Sequence, residues 1–113
     1  AHTHNHVMVS QCTTEAEREE ELARPLSLLR NHGITCRHLA FTNGKRADID
    51  DAALCYARDC GYASAYTTIP GRIKDWHRPL YLPRISGQVE SLESFIRNFD
   101  RTWLDILWYE WRR

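Results

Sequence analysis

Two amphipathic stretches, each closed by a glycine and followed at once by a short β-prone run, constrain the fold of this chain more than any other feature. The first opens on Thr14-Glu15-Ala16-Glu17, which has the form of a capping box with Thr14 as N-cap and Glu17 at N3. Acidic residues crowd the first turns, where the helix dipole favours them. Leu22, Leu26 and Leu29 then recur at i, i+4, i+7 as an apolar stripe. Pro25 interrupts that stripe and is expected to kink the helix or split it in two. Gly33, after Asn31-His32, is placed to stop it. Residues Ile34 to Phe41 read as a buried strand, with Cys36, Leu39, Ala40 and Phe41 available for packing. Asn43-Gly44 then favours a turn with positive φ.

The second cycle repeats the first. A helix begins near Asp48, Asp50 or Asp51, turns Ile49, Ala53, Tyr56 and Cys60 inward, and stops at Gly61. Tyr62 to Thr68 is aromatic and β-branched, as a strand requires. Ile69-Pro70-Gly71 ends it, and residues 72 to 81 are polar and irregular. Leu82-Pro83-Arg84-Ile85 reads as a short extended piece with its proline at an edge. Helix–strand–helix–strand at this rhythm implies parallel strands joined by helical crossovers, an α/β architecture. Only two or three strands are legible in 113 residues, fewer than a closed barrel or a doubly wound sheet contains. The order predicts a further strand just before His2.

Residues 88–113 have a different character. Leu92, Phe95, Ile96 and Phe99 form one helical stripe, and Trp103, Leu104, Leu107, Trp108 and Trp111 form another. Such a face suits either a partner or membrane surface or a terminal helix docked over the open side of the sheet; the docked helix is the reading adopted. Asp100, Asp105 and Glu110 make an anionic membrane a poor target.

Lys plus Arg equals Asp plus Glu, at 15 each, so neither nucleic acid nor an anionic surface is drawn by charge alone. No apolar run approaches the length of a membrane span. Cys12, Cys36, Cys55 and Cys60 form no CxxC pair, and the default reading is free thiols, buried or half-buried. The chain opens on neither Met nor a secretory h-region, which suggests a processed or excised chain and leaves the compartment open.

Three histidines stand within the first six residues, Ala1-His2-Thr3-His4-Asn5-His6. Extended backbone would put all three on one side. A helical turn would instead bring His2 and His6 together at i, i+4, the spacing at which two ring nitrogens reach one metal. Imidazole suits zinc, nickel, copper and iron. A tag remnant or a frayed terminus would present the same residues.

The segment His2-Thr3-His4-Asn5-His6 resembles the HTxxH metal motif of the polysaccharide deacetylase (NodB-homology) family. Three further stretches match in the same order: His38 to Gly44 is similar to the family's strand and aromatic-Pro-aromatic-Gly turn, Cys60 to Thr68 to its Gly-Tyr/Phe-x-x-Ala-x-Thr strand, and Leu82-Pro83-Arg84 to the Leu-Pro-Arg segment of one branch. The match covers residues 2 to about 87, which resemble the C-terminal portion of a distorted (β/α) barrel; residues 88–113 would be the helical segment packed on it.

The resemblance implies a metal-dependent hydrolase that removes N-acetyl or other acyl groups from amino sugars, with a divalent metal, usually zinc. His2 and His6 are the implied ligands. Thr3, His4, Phe41, Thr42, Asn43 and Gly44 are the implied substrate-side residues, and Arg84 would hold a catalytic carboxylate. The implied partner is a glycan or acyl-sugar, and the implied location is the cell envelope or outside the cell, with the cytoplasm left open.

The departures are large. The family's Thr-Phe-Asp-Asp-Gly strand, which carries the metal and base aspartates, is absent, and so is its late Leu-x-x-His motif. Ala1 stands where Ser is usual, and Phe41-Thr42-Asn43 lacks the expected proline. The isolated chain is therefore expected to be a poor catalyst, and to self-associate or to pair with a missing N-terminal half. A non-catalytic α/β module that binds glycan or protein, with a vestigial histidine site, is the alternative.

Overall fold

In the computed structural model the structure describes residues 1–85, 91–94 and 96. The first capping box forms as the sequence spells it. Thr14 Oγ1 accepts the Glu17 N–H at 3.2 Å, and the Glu17 carboxylate accepts the Thr14 N–H at 2.9 Å. Helix α1 (Glu15–Arg18) runs into a π-helical turn (Glu19–Ala23) and then into α2 (Arg24–Asn31). Pro25 therefore does not split the helix. The backbone stays helical through 15–31, and the disturbance is taken up as one widened turn just before the proline. Gly33, at φ +73°, closes the segment in a Schellman arrangement: its N–H bonds Arg30 O at 2.9 Å and the Ile34 N–H bonds Leu29 O at 2.9 Å.

That closure shortens the first strand. Ile34 is spent on the helix cap and is exposed, so the strand expected over Ile34 to Phe41 is β1 (His38–Ala40) alone. After the Asn43-Gly44 turn, with both residues at positive φ, Asp48 caps a short 3-10 turn (Arg46–Asp48) by accepting the Lys45 N–H. Asp50 then accepts the Ala53 N–H at 2.8 Å and starts α3 (Asp51–Asp59). Ala53 and Ala57 are the fully buried residues of α3, while Cys55, expected as a buried or half-buried thiol, is exposed. Strand β2 (Ser64–Tyr66) follows.

β1 and β2 pair in parallel, with His38 opposite Ser64, Leu39 opposite Ala65 and Ala40 opposite Tyr66. The ladder extends by one position on each side. The Ala1 amine donates to His38 O at 2.6 Å and Ala40 N–H donates to Ala1 O at 3.0 Å. On the other side, Leu82 bridges Tyr66 in parallel. Across the sheet the order is Ala1, β1, β2, Leu82, which is chain order. Such a progression has no reversal, unlike the strand order of a doubly wound sheet at its switch point.

The core lies between this sheet and the helices. Val9, Leu22, Leu39, Phe41, Ala53, Ala57 and Ala65 are each fully buried. Tyr62 is buried among them and donates its hydroxyl to Leu22 O at 2.9 Å, tying the entry of β2 to the π turn. All four cysteines are free. No helix among the described residues is long and apolar enough to cross a membrane. Of the terminal stripes, Leu92 and Ile96 are exposed; Phe95, Phe99 and the tryptophan stripe lie outside the described residues.

Candidate metal centre

The histidine segment leaves the ladder at Ala1 and turns across the carboxyl ends of the strands. It bends at His4-Asn5, and His6 adopts φ +59°. The bend brings the His2 and His6 rings edge to face, with centroids 5.0 Å apart and planes at 74°. This is the turned arrangement of the pair, and His4 takes no part in it. Its ring lies toward the helix, with Nε2 3.9 Å from the Glu20 carboxylate.

His2 is anchored from both sides. A carbonyl oxygen only accepts, so Nδ1 must be the protonated nitrogen in its contact with Ala40 O. In the neutral ring Nε2 then carries the lone pair, and it meets Thr42 Oγ1 at 3.3 Å. Thr42 is buried, and its hydroxyl lies 2.5 Å from that of buried Thr3. With Thr42 donating to Nε2, Thr3 donates to Thr42. A ring whose remote N–H is held by a backbone carbonyl is oriented as metal-ligating histidines are.

The turn after β1 is the second wall. Asn43 (φ +57°) and Gly44 (φ +67°) swing the chain back toward β2, where Gly44 O accepts the Thr68 N–H at 2.9 Å and Asn43 O accepts the Thr68 hydroxyl. Gly44 is required here: a Cβ would stand 2.8 Å from Thr68 N. Phe41 is fully buried, and its side chain belongs to the core. Arg84 is exposed, and its N–H donates to Ile69 O at 3.0 Å. The structure thus gathers His2, Thr3, His6 and Thr42 at one point, with Asn43 and Gly44 in the turn that follows Thr42.

By donor chemistry the two imidazoles would fill at most two positions of a divalent site. His2 and His6 are exposed, and two imidazoles in contact suit a borderline metal. Among the described residues no group of three or more His, Cys, Asp or Glu is placed to hold one. Asp48 and Asp50, at which the sequence starts a helix, are spent on capping. His38 bonds Ser64 Oγ at 2.7 Å and His77 takes the Lys74 N–H at 2.8 Å, so both are held away from the pair.

Sequence reasoning missed Glu21, which reads in the sequence as one more acid in an acidic first turn. It is buried, and both carboxylate oxygens bond Asn5: Oε2 accepts the backbone N–H at 2.9 Å and Oε1 the side-chain amide at 2.7 Å. Comparison of the chain with protein-family models, curated proteins and solved structures finds no match.

Proposed function

We propose that this chain is the C-terminal portion of a metal-dependent carbohydrate deacetylase, acting on N-acetyl or other acyl groups of amino sugars. The observation that carries the reading is the i, i+4 imidazole pair at the carboxyl ends of parallel strands, with the His2 ring held by a strand carbonyl. In parallel α/β structures that end is where ligand sites form. The unreversed strand order, Ala1 to Leu82, supports a (β/α) barrel as the parent architecture. The HTxxH, Asn43-Gly44 and Leu82-Pro83-Arg84 segments lie in the order that the NodB-homology family has them.

A divalent metal bound there would polarise an acyl carbonyl and lower the pKa of water. His2 and His6 would hold it; the Ala40 carbonyl would keep the His2 ring in the ligating tautomer, and the Thr42 hydroxyl would turn its hydrogen away from Nε2 to free the lone pair. Thr42 reaches His2 through its hydroxyl, and the backbone N–H groups of Thr42 and Asn43 would be the donors to a developing oxyanion, the Gly44 N–H being taken by Thr42 O. A carboxylate base and a third ligand belong to residues other than those gathered here, which is why the chain alone is expected to hydrolyse poorly.

The test is zinc titration of the purified chain beside His2→Ala and His6→Ala. Stoichiometric zinc that is lost in both variants supports the reading. Binding that survives either substitution sinks it, and favours the second reading, a non-catalytic glycan- or protein-binding module. That second reading draws on the donor set stopping at two among the described residues.

A further inference from the structure

We infer that Glu21 is the positioning residue of the histidine turn, and that Pro25 is what makes it available. Pro25 has no N–H to offer the Glu21 carbonyl four residues back. Glu21 O instead accepts the His4 N–H at 3.2 Å. The same residue's carboxylate accepts the Asn5 N–H at 2.9 Å and the Asn5 side-chain amide at 2.7 Å. One residue thus holds three donors from two of the three positions that lie between His2 and His6. Glu21 is only 5% exposed, and the π turn Glu19–Ala23 contains it. Widened turns of this kind recur at functional sites.

The physical consequence is a fixed curvature. His6 sits at φ +59°, a conformation that a non-glycine residue holds only when its surroundings impose it. Glu21 supplies that constraint from the helix side, as Thr3 and Thr42 do from the strand side. The consequence for metal rests on the reading proposed above; the geometry of the turn does not.

The experiment uses the whole chain and two readouts. An NOE between the His2 and His6 ring protons reports the turn without any metal, and Zn²⁺ titration reports the affinity of the folded protein. Glu21→Ala is expected to abolish the NOE and weaken zinc about tenfold or more, the usual scale for a residue that orients ligands. Glu21→Gln is expected to keep both within about threefold, because flipping the Asn5 amide lets Gln accept one bond and donate the other. Pro25→Ala covers the case in which Glu21→Ala fails to fold, since alanine suits a helix interior. Its restored N–H competes for the Glu21 carbonyl, so the His4 amide should exchange faster and the NOE weaken. An unchanged NOE in a folded Glu21→Ala, or unchanged His4 exchange in Pro25→Ala, overturns the inference. A wild-type chain that shows the NOE but takes no zinc refutes the metal reading and leaves the positioning result standing.

Discussion

Gly33 and Gly44 offer a controlled comparison of what positive φ costs with and without a neighbour. Both lie in the left-handed region, at φ +73° and +67°. A Cβ at Gly33 meets nothing within 4 Å, whereas one at Gly44 lies 2.8 Å from Thr68 N, 3.2 Å from Thr67 C and 3.3 Å from Phe41 O. Gly33→Ala therefore costs only the backbone term, about 1–2 kcal/mol, less some relief from the stiffer unfolded chain. Gly44→Ala costs the same and must also drive the turn away from Thr68. That movement breaks the Thr68 N–H to Gly44 O bond in a buried setting, a further loss of about 1–3 kcal/mol. The expected total is about 2–5 kcal/mol, a large share of the roughly 5–15 kcal/mol that holds a domain together. In thermal melts followed by circular dichroism, Gly33→Ala should lower Tm by about 4–8 °C and Gly44→Ala by more than about 10 °C. Equal shifts would show that the contact with Thr68 is not what demands glycine, and the tight join between the turn and β2 would have to be abandoned.

Two further outcomes follow from groups remote from the histidines. Tyr62→Phe removes the donor to Leu22 O and is expected to cost about 1–3 kcal/mol in urea unfolding. An unchanged midpoint would deny that bond its role. Burial, with Cys36 and Cys60 nearby, pushes the Tyr62 phenol well above its ordinary 10.0. The neutral form is favoured in the folded state, so stability falls as pH rises past that value, and the phenylalanine variant should lack this share of the alkaline loss. Glu17 has the opposite sign: hydrogen bonds from Thr14 and Thr13 hold its carboxyl below the ordinary 4.5. Its contribution is present above that value and fades as pH falls through the depressed one. Helix content in acid should consequently change less in Glu17→Gln than in the parent, and identical acid titrations would reject the capping role.

Much of the fold was legible because its signals are local. The Thr14 capping box, the Asp50 cap, the Gly33 and Gly61 stops and the Asn43-Gly44 turn each depend on a few adjacent residues, and each formed. Strand length was not legible, because Ile34 looks equally apolar in a strand and in a helix cap; the Schellman bonds to Leu29 and Arg30 decide the matter. Pro25 was legible only in part, since the expected split does not occur. Read alone it is a helix breaker, but a π turn lets the chain absorb it. At the site, the spacing of His2 and His6 was readable as an i, i+4 pair. Glu21 was not, since nothing near it in sequence distinguishes it from Glu19 or Glu20; only the fold brings it to Asn5.

The same contrast bears on how a site of this kind is assembled. In a parallel sheet the functional groups arrive from the ends of several strands, each carrying one or two. Here the Ala1 ladder position delivers His2 and His6, the end of β1 delivers Thr42, and the turn behind it joins the end of β2 through Thr68. These neighbours contribute imidazoles and hydroxyls, and among the described residues the acids of the facing helix are already engaged: Glu21 with Asn5, Glu20 with Arg24, Glu17 with Thr14. Releasing any one of them to serve as a ligand would undo a cap, an ion pair or the histidine turn itself. On the proposed reading the missing carboxylate must therefore come from a strand end other than these, or from a second copy of the chain. A Zn²⁺ titration separates the two. A ligand from a second copy makes apparent affinity rise with protein concentration, as dimer formation is linked to metal uptake, whereas a ligand within the same chain leaves it constant.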